Sequence, residues 1–376
     1  MKGFGAFVGR MMDRWGVPGL AVAVVQGGRT VLAEGFGLCD RKSKRQVTPR
    51  TLFPIASATK AFTATALGIL LDDGKIQWDL PVRDYLPGFR LADPVATERA
   101  TVRDLLCHRT GLPRHDNAWY GLTLSRAELF DRLRHLPPSA DFRARWQYQN
   151  MMFMVAGLVV AAVAGRTWEQ FVRERILDPL GMTGTNFGAA EALAQADHAL
   201  PYKRSGRRVA RTHFDDVSSL GPAGGINSNA IDMARWLTMN LSGGRIGRRR
   251  IISAKALAAI HTPQIPVPEP PQWPELLHGA YAMGWQVQPY RGHPTIWHGG
   301  LVNGFQTRVT LLPRLKAGVA VMTNMMGHPV QLLLAYRACD RLLGLRPLPW
   351  TRRLAAEEAR QAKAKTSAKR RAARAA

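Results

Sequence analysis

The chain has 376 residues, of which 46% are hydrophobic and 21% charged, as is ordinary for a soluble globular protein. A chain of this length can bury a sizeable core without disulfides or metals. Its three scattered cysteines exclude both a disulfide framework and a zinc-ligand spacing. The net charge of +25 is compatible with nucleic acid or an anionic membrane as partner, but we favour solvated basic faces because the charges are dispersed and no nucleic-acid motif is visible.

The first 75 residues predict a helix, a hairpin and a second helix. Helical periodicity covers 4–15, and two apolar strands at 20–25 and 30–36 flank a glycine turn. A helix over 58–71 ends at Gly74. No apolar leader segment follows Lys2, so we expect a cytoplasmic protein, or a periplasmic one if the chain is already processed.

Helical patterns dominate the middle of the chain. They cover 101–108, 125–135, 151–164, 168–176 and a stretch to about 241 that Ser228 is expected to cap. The longest apolar run, 151–164, is too short to cross a bilayer comfortably and favours a buried helix.

Strands return near the carboxyl end. A proline-rich loop is expected over 262–274, then strands at 281–287, 295–298, 304–312 and 318–323, and a closing helix over 329–343. From Thr351 onward the chain has nine basic residues and only two glutamates, a composition that favours a frayed helix or disorder. Weak binding of the 351–376 tail to anionic surfaces stays open.

This order predicts an α/β (α+β) fold, in which an antiparallel sheet flanked by helices is interrupted by an all-helical insertion. We place the sheet domain at 1–56 and 222–348, the mainly helical domain at 57–221 and a basic tail at 349–376. The sequence indicates neither a cofactor nor a metal, and it leaves the oligomeric state open.

Ser57 and Lys60 form the first candidate constellation. Residues three apart on a helix share a face, so the lysine amine can reach the serine hydroxyl. A serine is a weak nucleophile until a base takes its proton, and a lysine takes it only when burial or cationic neighbours lower its pKa. Taken alone, the pair favours the structural interpretation of a capping serine and a solvated lysine.

Two further segments carry polar chemistry. Tyr148 and Asn150 precede the apolar helix at 151, where a phenol can act as phenolate or relay a proton and an amide can hold a lysine head. His298, Gly299, Gly300 and Leu301 stand at the predicted end of a strand. Glycines there let a substrate lie along the strand edge, and a backbone N–H can complete an oxyanion hole.

Together the three segments resemble the serine β-lactamase-like and penicillin-binding-protein family. Its motifs S-x-x-K, Y-x-N and H-x-G occur here in that order, as Ser57-Ala58-Thr59-Lys60, Tyr148-Gln149-Asn150 and His298-Gly299-Gly300. The surroundings, 52–63, 101–113, 176–182 and 221–225, are also similar to that family. The likeness covers roughly residues 4–343 and includes class C β-lactamases, D-alanyl-D-alanine carboxypeptidases and family VIII esterases.

The resemblance implies a serine hydrolase that acts through an acyl-enzyme on a small ester, amide or peptide. Ser57 would be acylated, Lys60 and Tyr148 would share general acid and base work, and Asn150 would orient Lys60 and the substrate. The backbone N–H groups of Ser57 and Leu301 would form the oxyanion hole, and Tyr148 would activate the deacylating water.

One departure concerns His298, where many members carry a lysine that holds a substrate carboxylate. A histidine is mostly neutral near pH 7, which favours the esterase and D-aminopeptidase branches.

The alternative function is a non-catalytic scaffold or binding module that kept the fold. Trp119, Tyr120, Trp273 and Trp285 are candidate cleft residues, and His108 is expected to be structural.

Overall fold

The computed structural model describes residues 1–206, 208–357 and 360, and its central feature is a nine-stranded antiparallel sheet with helices on both faces. The strands are β1 Gly19–Gln26, β2 Arg29–Asp40, β3 Arg45–Gln46, β4 Ile265–Pro266, β5 Ala280–Tyr281, β6 Gln286–Tyr290, β7 His293–Val302, β8 Phe305–Leu312 and β9 Ala317–Thr323. They lie in the order β4-β5-β6-β7-β8-β9-β1-β2-β3. The predicted fold class is confirmed.

The longer helices are α1 Phe4–Trp15, α2 Lys60–Asp72, α3 Asn150–Ala164, α4 Ala230–Leu241 and α5 Val330–Leu342. Shorter helices are Val82–Tyr85, Pro94–Arg99, Val102–Cys107, Arg126–Arg132, Trp168–Val172, Gly188–Ala194 and Ala254–His261. Residues 57–221 are therefore mainly helical, and the domain boundaries placed there stay a prediction.

Strand β1 is buried on both faces, which explains its unbroken apolar sequence. Leu20, Val22 and Val24 point into a core formed with α1 and α5. The alternate residues, with Ala21 and Ala23 among them, point into a second core that continues through α2, α3 and α4. This second core fixes the helical segment against the sheet, and the candidate site lies where the two meet.

Two sequence predictions of elements near the site are wrong in detail. The strand expected over 281–287 is two strands, β5 and β6, because Gly284 has a φ of 75° and reverses the chain. A Cβ on Gly284 would lie 2.8 Å from the backbone oxygen of Lys60, so a glycine is needed for the approach to α2. The proline-rich loop also contributes the edge strand β4.

The cap of α4 differs from the prediction as well. Ser228 ends a short strand, Ile226–Ser228, and the side chain of Asn229 accepts the capping hydrogen bond from the backbone N–H of Asp232 at 2.9 Å. Both residue types cap helices, so the sequence signal was one position out of register.

The start of the predicted tail packs against the body. Residues 350–357 are helical, and Trp350 is buried with its ring 4.9 Å from those of Trp273 and Tyr336. Arg353 forms an ion pair with Glu275 at 2.6 Å. The basic tail placed at 349–376 therefore begins as a helix, which is one of the two states expected for it, and its boundary stays a prediction. Its remainder, 358–359 and 361–376, lies outside the described residues.

Candidate active site

Ser57 lies in a 3₁₀ turn, Ala56–Thr59, that leads directly into α2. The turn begins with a strained residue, since Ala56 has a φ of 47°, a conformation that non-glycine residues rarely adopt. The first N–H groups of a helical turn have no acceptor within it, so the backbone of Ser57 presents a donor beside its own hydroxyl.

Lys60 is fully buried and its Nζ atom contacts three oxygens. These are Oγ of Ser57 at 3.2 Å, Oδ1 of Asn150 at 2.8 Å and the backbone oxygen of Ala223 at 2.9 Å. The same atom lies 4.8 Å from the ring centroid of Tyr148. The serine, the amine, the phenol and the amide named from the sequence are thus brought together.

Burial lowers the pKa of Lys60 well below its usual value, and the nearby Arg114 guanidinium lowers it further. The neutral amine has two N–H bonds and one lone pair. It can donate to Asn150 and Ala223 while its lone pair accepts the hydroxyl proton of Ser57. The arrangement therefore suits a lysine that acts as a base.

Tyr148 is half-buried, and its partial removal from water raises the pKa of its phenol. The Ser57 hydroxyl opposes this by favouring the ionised form, but burial has the larger effect. The ring packs 4.3 Å from the buried His108 ring, whose Nδ1 accepts from the backbone N–H of Gln149 at 3.0 Å. Of the two roles considered for this phenol, the structure favours proton relay by a neutral phenol over a resting phenolate.

The histidine–glycine segment lies within β7 rather than at its end. Asn303 and Gly304 form a two-residue turn between β7 and β8, so their flanking residues form a hydrogen-bonded pair. Alternation along the strand then directs the N–H of Leu301 away from β8, towards the Ser57 turn. Gly300 faces that turn closely, since a Cβ there would lie 2.1 Å from the backbone oxygen of Ile55.

His298 uses both ring nitrogens within the protein. Its Nε2 accepts from the Tyr281 hydroxyl at 2.9 Å, and its Nδ1 donates to the backbone oxygen of Gly299 at 2.6 Å. Burial lowers its pKa to about 3. The ring is therefore neutral and both of its nitrogens are occupied, and direct orientation of the substrate by His298 stays a prediction.

Two cavities open beside Ser57. A narrow one of about 60 Å³ is mostly apolar, and its wall includes Trp119, Leu220 and Leu301. A wider one of about 330 Å³ is polar and extends from Ser57 and Tyr148 along β7 to Arg308. Ser57 therefore stands between an apolar and a polar compartment.

The profile of the Beta-lactamase family matches residues 4–339. The chain belongs to the β-lactamase family. An unguisins hydrolase of Aspergillus campestris is 32% identical over 363 residues, which cover 92% of this chain and 66% of that protein. A putative penicillin-binding protein of Bacillus subtilis is 28% identical over 78% of this chain and 70% of its own.

A second unguisins hydrolase, from Aspergillus violaceofuscus, is 32% identical over 82% of this chain and 59% of its own length. The chain thus spans less than two thirds of these two fungal relatives. An octameric penicillin-binding protein homologue from Pyrococcus abyssi has a TM-score of 0.81 at 27% identity, over 92% of this chain and 77% of that one. A class C β-lactamase, with a TM-score of 0.73 at 20% identity over 90% and 94%, shows the same fold.

Sequence reasoning missed three contributors to the site of this β-lactamase-family chain. The backbone oxygen of Ala223 holds Lys60, the Tyr281 hydroxyl holds His298, and the Arg114 guanidinium lies 5.0 Å from the ring centroid of Tyr148. The block at 221–225 was noted as similar to the family, which was the available signal for Ala223. Tyr281 and Arg114 carried no signal of their own.

The four aromatic residues considered for the cleft lie in two different environments. Trp119 and Tyr120 line the apolar cavity, whereas Trp273 and Trp285 are buried in the two cores.

Among the residues described, no group of three or more His, Cys, Asp or Glu side chains is placed to hold a metal ion. In the same part of the chain no single helix meets the length and hydropathy that a bilayer span requires, and one pair bent by 77°, Asn150–Ala164 with 168–180, meets them jointly.

Proposed function

We propose that this β-lactamase-family protein is a serine hydrolase that cleaves small esters or amides through an acyl-enzyme on Ser57. The observation that carries the proposal is the buried Lys60 amine, 3.2 Å from the Ser57 oxygen and held by two further acceptors. A buried lysine without a carboxylate partner is costly as a structural element, and its lowered pKa suits a base.

In the first step Lys60 accepts the Ser57 proton, and Oγ forms a bond to the substrate carbonyl carbon. The resulting oxyanion receives hydrogen bonds from the backbone N–H groups of Ser57 and Leu301. The bond from the carbonyl carbon to the leaving group then breaks, and the leaving atom takes a proton from Tyr148. The phenol is restored by the proton that Lys60 carries.

In the second step a water molecule attacks the acyl carbon of the ester on Ser57. Its proton passes through the Tyr148 hydroxyl to the Lys60 amine, the bond from the acyl carbon to Oγ breaks, and Lys60 returns that proton to Oγ. Asn150 keeps Lys60 in place throughout, through the hydrogen bond of 2.8 Å. The apolar cavity favours a short apolar acyl group, because burial of apolar surface there stabilises the complex.

The proposal is tested with p-nitrophenyl propionate. We expect a burst of nitrophenolate, and intact-mass spectrometry should detect one propionyl group that maps to Ser57. Ser57→Ala should abolish both signals, whereas Ser242→Ala, at an exposed position after α4, should retain them. Wild-type turnover by Ser57→Ala would refute the mechanism, and the absence of any adduct on the folded wild type would favour the non-catalytic alternative.

A further inference from the structure

His108 is a fully buried polar residue that packs against Tyr148. It follows the short helix Val102–Cys107, and its φ of 60° is a left-handed conformation that few non-glycine residues adopt. Its ring lies 4.3 Å from the ring of Tyr148 and 4.6 Å from that of Tyr281, measured between centroids. A polar group is costly to bury unless it forms hydrogen bonds, so the bonds of this imidazole indicate what it does.

The residue supplies two hydrogen-bond acceptors to the chain on either side of Tyr148. The backbone oxygen of His108 accepts from the N–H of Gln147 at 2.8 Å, and its Nδ1 accepts from the N–H of Gln149 at 3.0 Å. N–H groups two residues apart point to the same side of an extended segment, where a neighbouring strand would ordinarily accept both. A single residue therefore fixes both flanks of the segment that carries Tyr148.

Gln149 connects two residues of the proposed mechanism. It follows Tyr148 and precedes Asn150, whose Oδ1 holds the Lys60 amine at 2.8 Å. Its own backbone is extended, and its side chain caps α3 by accepting from the N–H of Met151 at 2.9 Å. A displacement of Gln149 would therefore move the phenol and the amide together.

The contact with Gln149 fixes the tautomer of the imidazole. Because Nδ1 accepts from a backbone N–H, the one ring proton of the neutral side chain lies on Nε2, which is buried with no hydrogen-bond partner among the described residues. A second proton, on Nδ1, would bring two donors together and break the bond. Burial and the nearby Lys60 amine both lower the pKa of His108 well below its usual value, in agreement with a neutral acceptor.

We propose that His108 is a positioning residue that aligns the Tyr148 hydroxyl for proton transfer to the leaving group. The inference rests on the proposed hydrolase function, in which Tyr148 supplies that proton. A poor leaving group depends on such a proton more than a good one does, so loss of the alignment should slow poor leaving groups more. A residue needed only for folding would slow both to the same extent.

The test compares kcat/KM for phenyl propionate and p-nitrophenyl propionate, which have the same acyl group and similar shapes but differ in how far the leaving group needs a proton. His108→Phe keeps a ring without the acceptor, and the ratio of phenyl to p-nitrophenyl ester should fall about 10- to 100-fold, since a misplacement of about 1 Å costs about 100-fold in rate. His108→Asn places Oδ1 where Nδ1 lies and tolerates the left-handed backbone, so its ratio should stay near that of wild type. His278→Phe, at an exposed position, should leave the ratio unchanged.

The outcomes separate the positioning role from the chemistry of Ser57. An equal loss on both esters in His108→Phe, or a ratio as low in His108→Asn, overturns the role of His108 while acylation by the wild type stands. Should neither variant fold, the ring-nitrogen chemical shifts of wild-type His108 decide: the Nε2–H tautomer is expected, and a proton on Nδ1 would overturn the proposal because no acceptor would then face Gln149. If the wild type forms no acyl adduct, the hydrolase function fails; if it does and the ratio is unmoved, only the role of His108 fails.

Discussion

Gly300 offers a sharp test of how β7 positions the Ser57 turn. A Cβ at this residue would lie 2.1 Å from the backbone oxygen of Ile55, whereas ordinary contact begins at 3.4 Å. Gly300→Ala therefore requires the strand and the turn to separate by about 1.3 Å, the difference between these distances. Because a misplacement of about 1 Å costs about 100-fold in rate, we expect acylation of Ser57 to fall by about that factor. Overpacking should also cost about 1–3 kcal/mol in the free energy of unfolding.

The assay is the burst rate with p-nitrophenyl propionate, measured beside urea unfolding. Gly299→Ala is the matched control, because a Cβ there meets the backbone oxygen of Thr307 at 3.8 Å and the Trp297 ring at 3.9 Å, which are ordinary contacts. It should acylate far faster than Gly300→Ala. A folded Gly300→Ala protein that acylates at the wild-type rate would refute the idea that this close approach aligns the oxyanion hole.

Three further predictions concern the base, acid stability and the start of the tail. Lys60→Met should lower kcat by about 10²- to 10⁴-fold, whereas Lys75→Met, at an exposed position, should not; equal kcat values for these two variants would exclude the lysine base. The kcat/KM of the wild type should fall as the pH drops through the lowered pKa of Lys60, because protonation removes the base. Burial lowers the pKa of His261 to about 4 from 6.5, so the unfolded state binds protons that the folded state does not, and stability is lost as the pH falls from 6.5 towards 4. The urea midpoint of His261→Gln should vary less steeply between pH 5 and 7.5 than that of wild type, and identical slopes would contradict this. Trp350→Ala should cost about 3–5 kcal/mol in urea unfolding, and a change near zero would mean that this helix contributes nothing.

Local sequence patterns predicted several elements of the fold and part of the site. The helix at Phe4–Trp15 follows from apolar periodicity, and the strand predicted at 20–25 lies within β1, because an unbroken apolar run suits burial on both faces. The proximity of Ser57 and Lys60 was also readable, since three residues along a helical turn bring two side chains to one face. The order of the three motifs then indicated the family, whose profile covers residues 4–339.

What no local pattern contained are the contacts between distant segments. The acceptor that Ala223 offers to Lys60 is 163 residues away, and the Tyr281 hydroxyl that occupies His298 belongs to another strand. The sequence did not distinguish Arg308 from the other dispersed basic residues, and only the register of β7 and β8 places it opposite Gly299. The pKa of Lys60 depends on the same long-range packing, because it is the removal of water by elements distant in the chain that disfavours the charged amine. Residue spacing along the chain thus specified which groups are present, and packing across it set their partners, their charge and the space left for a substrate.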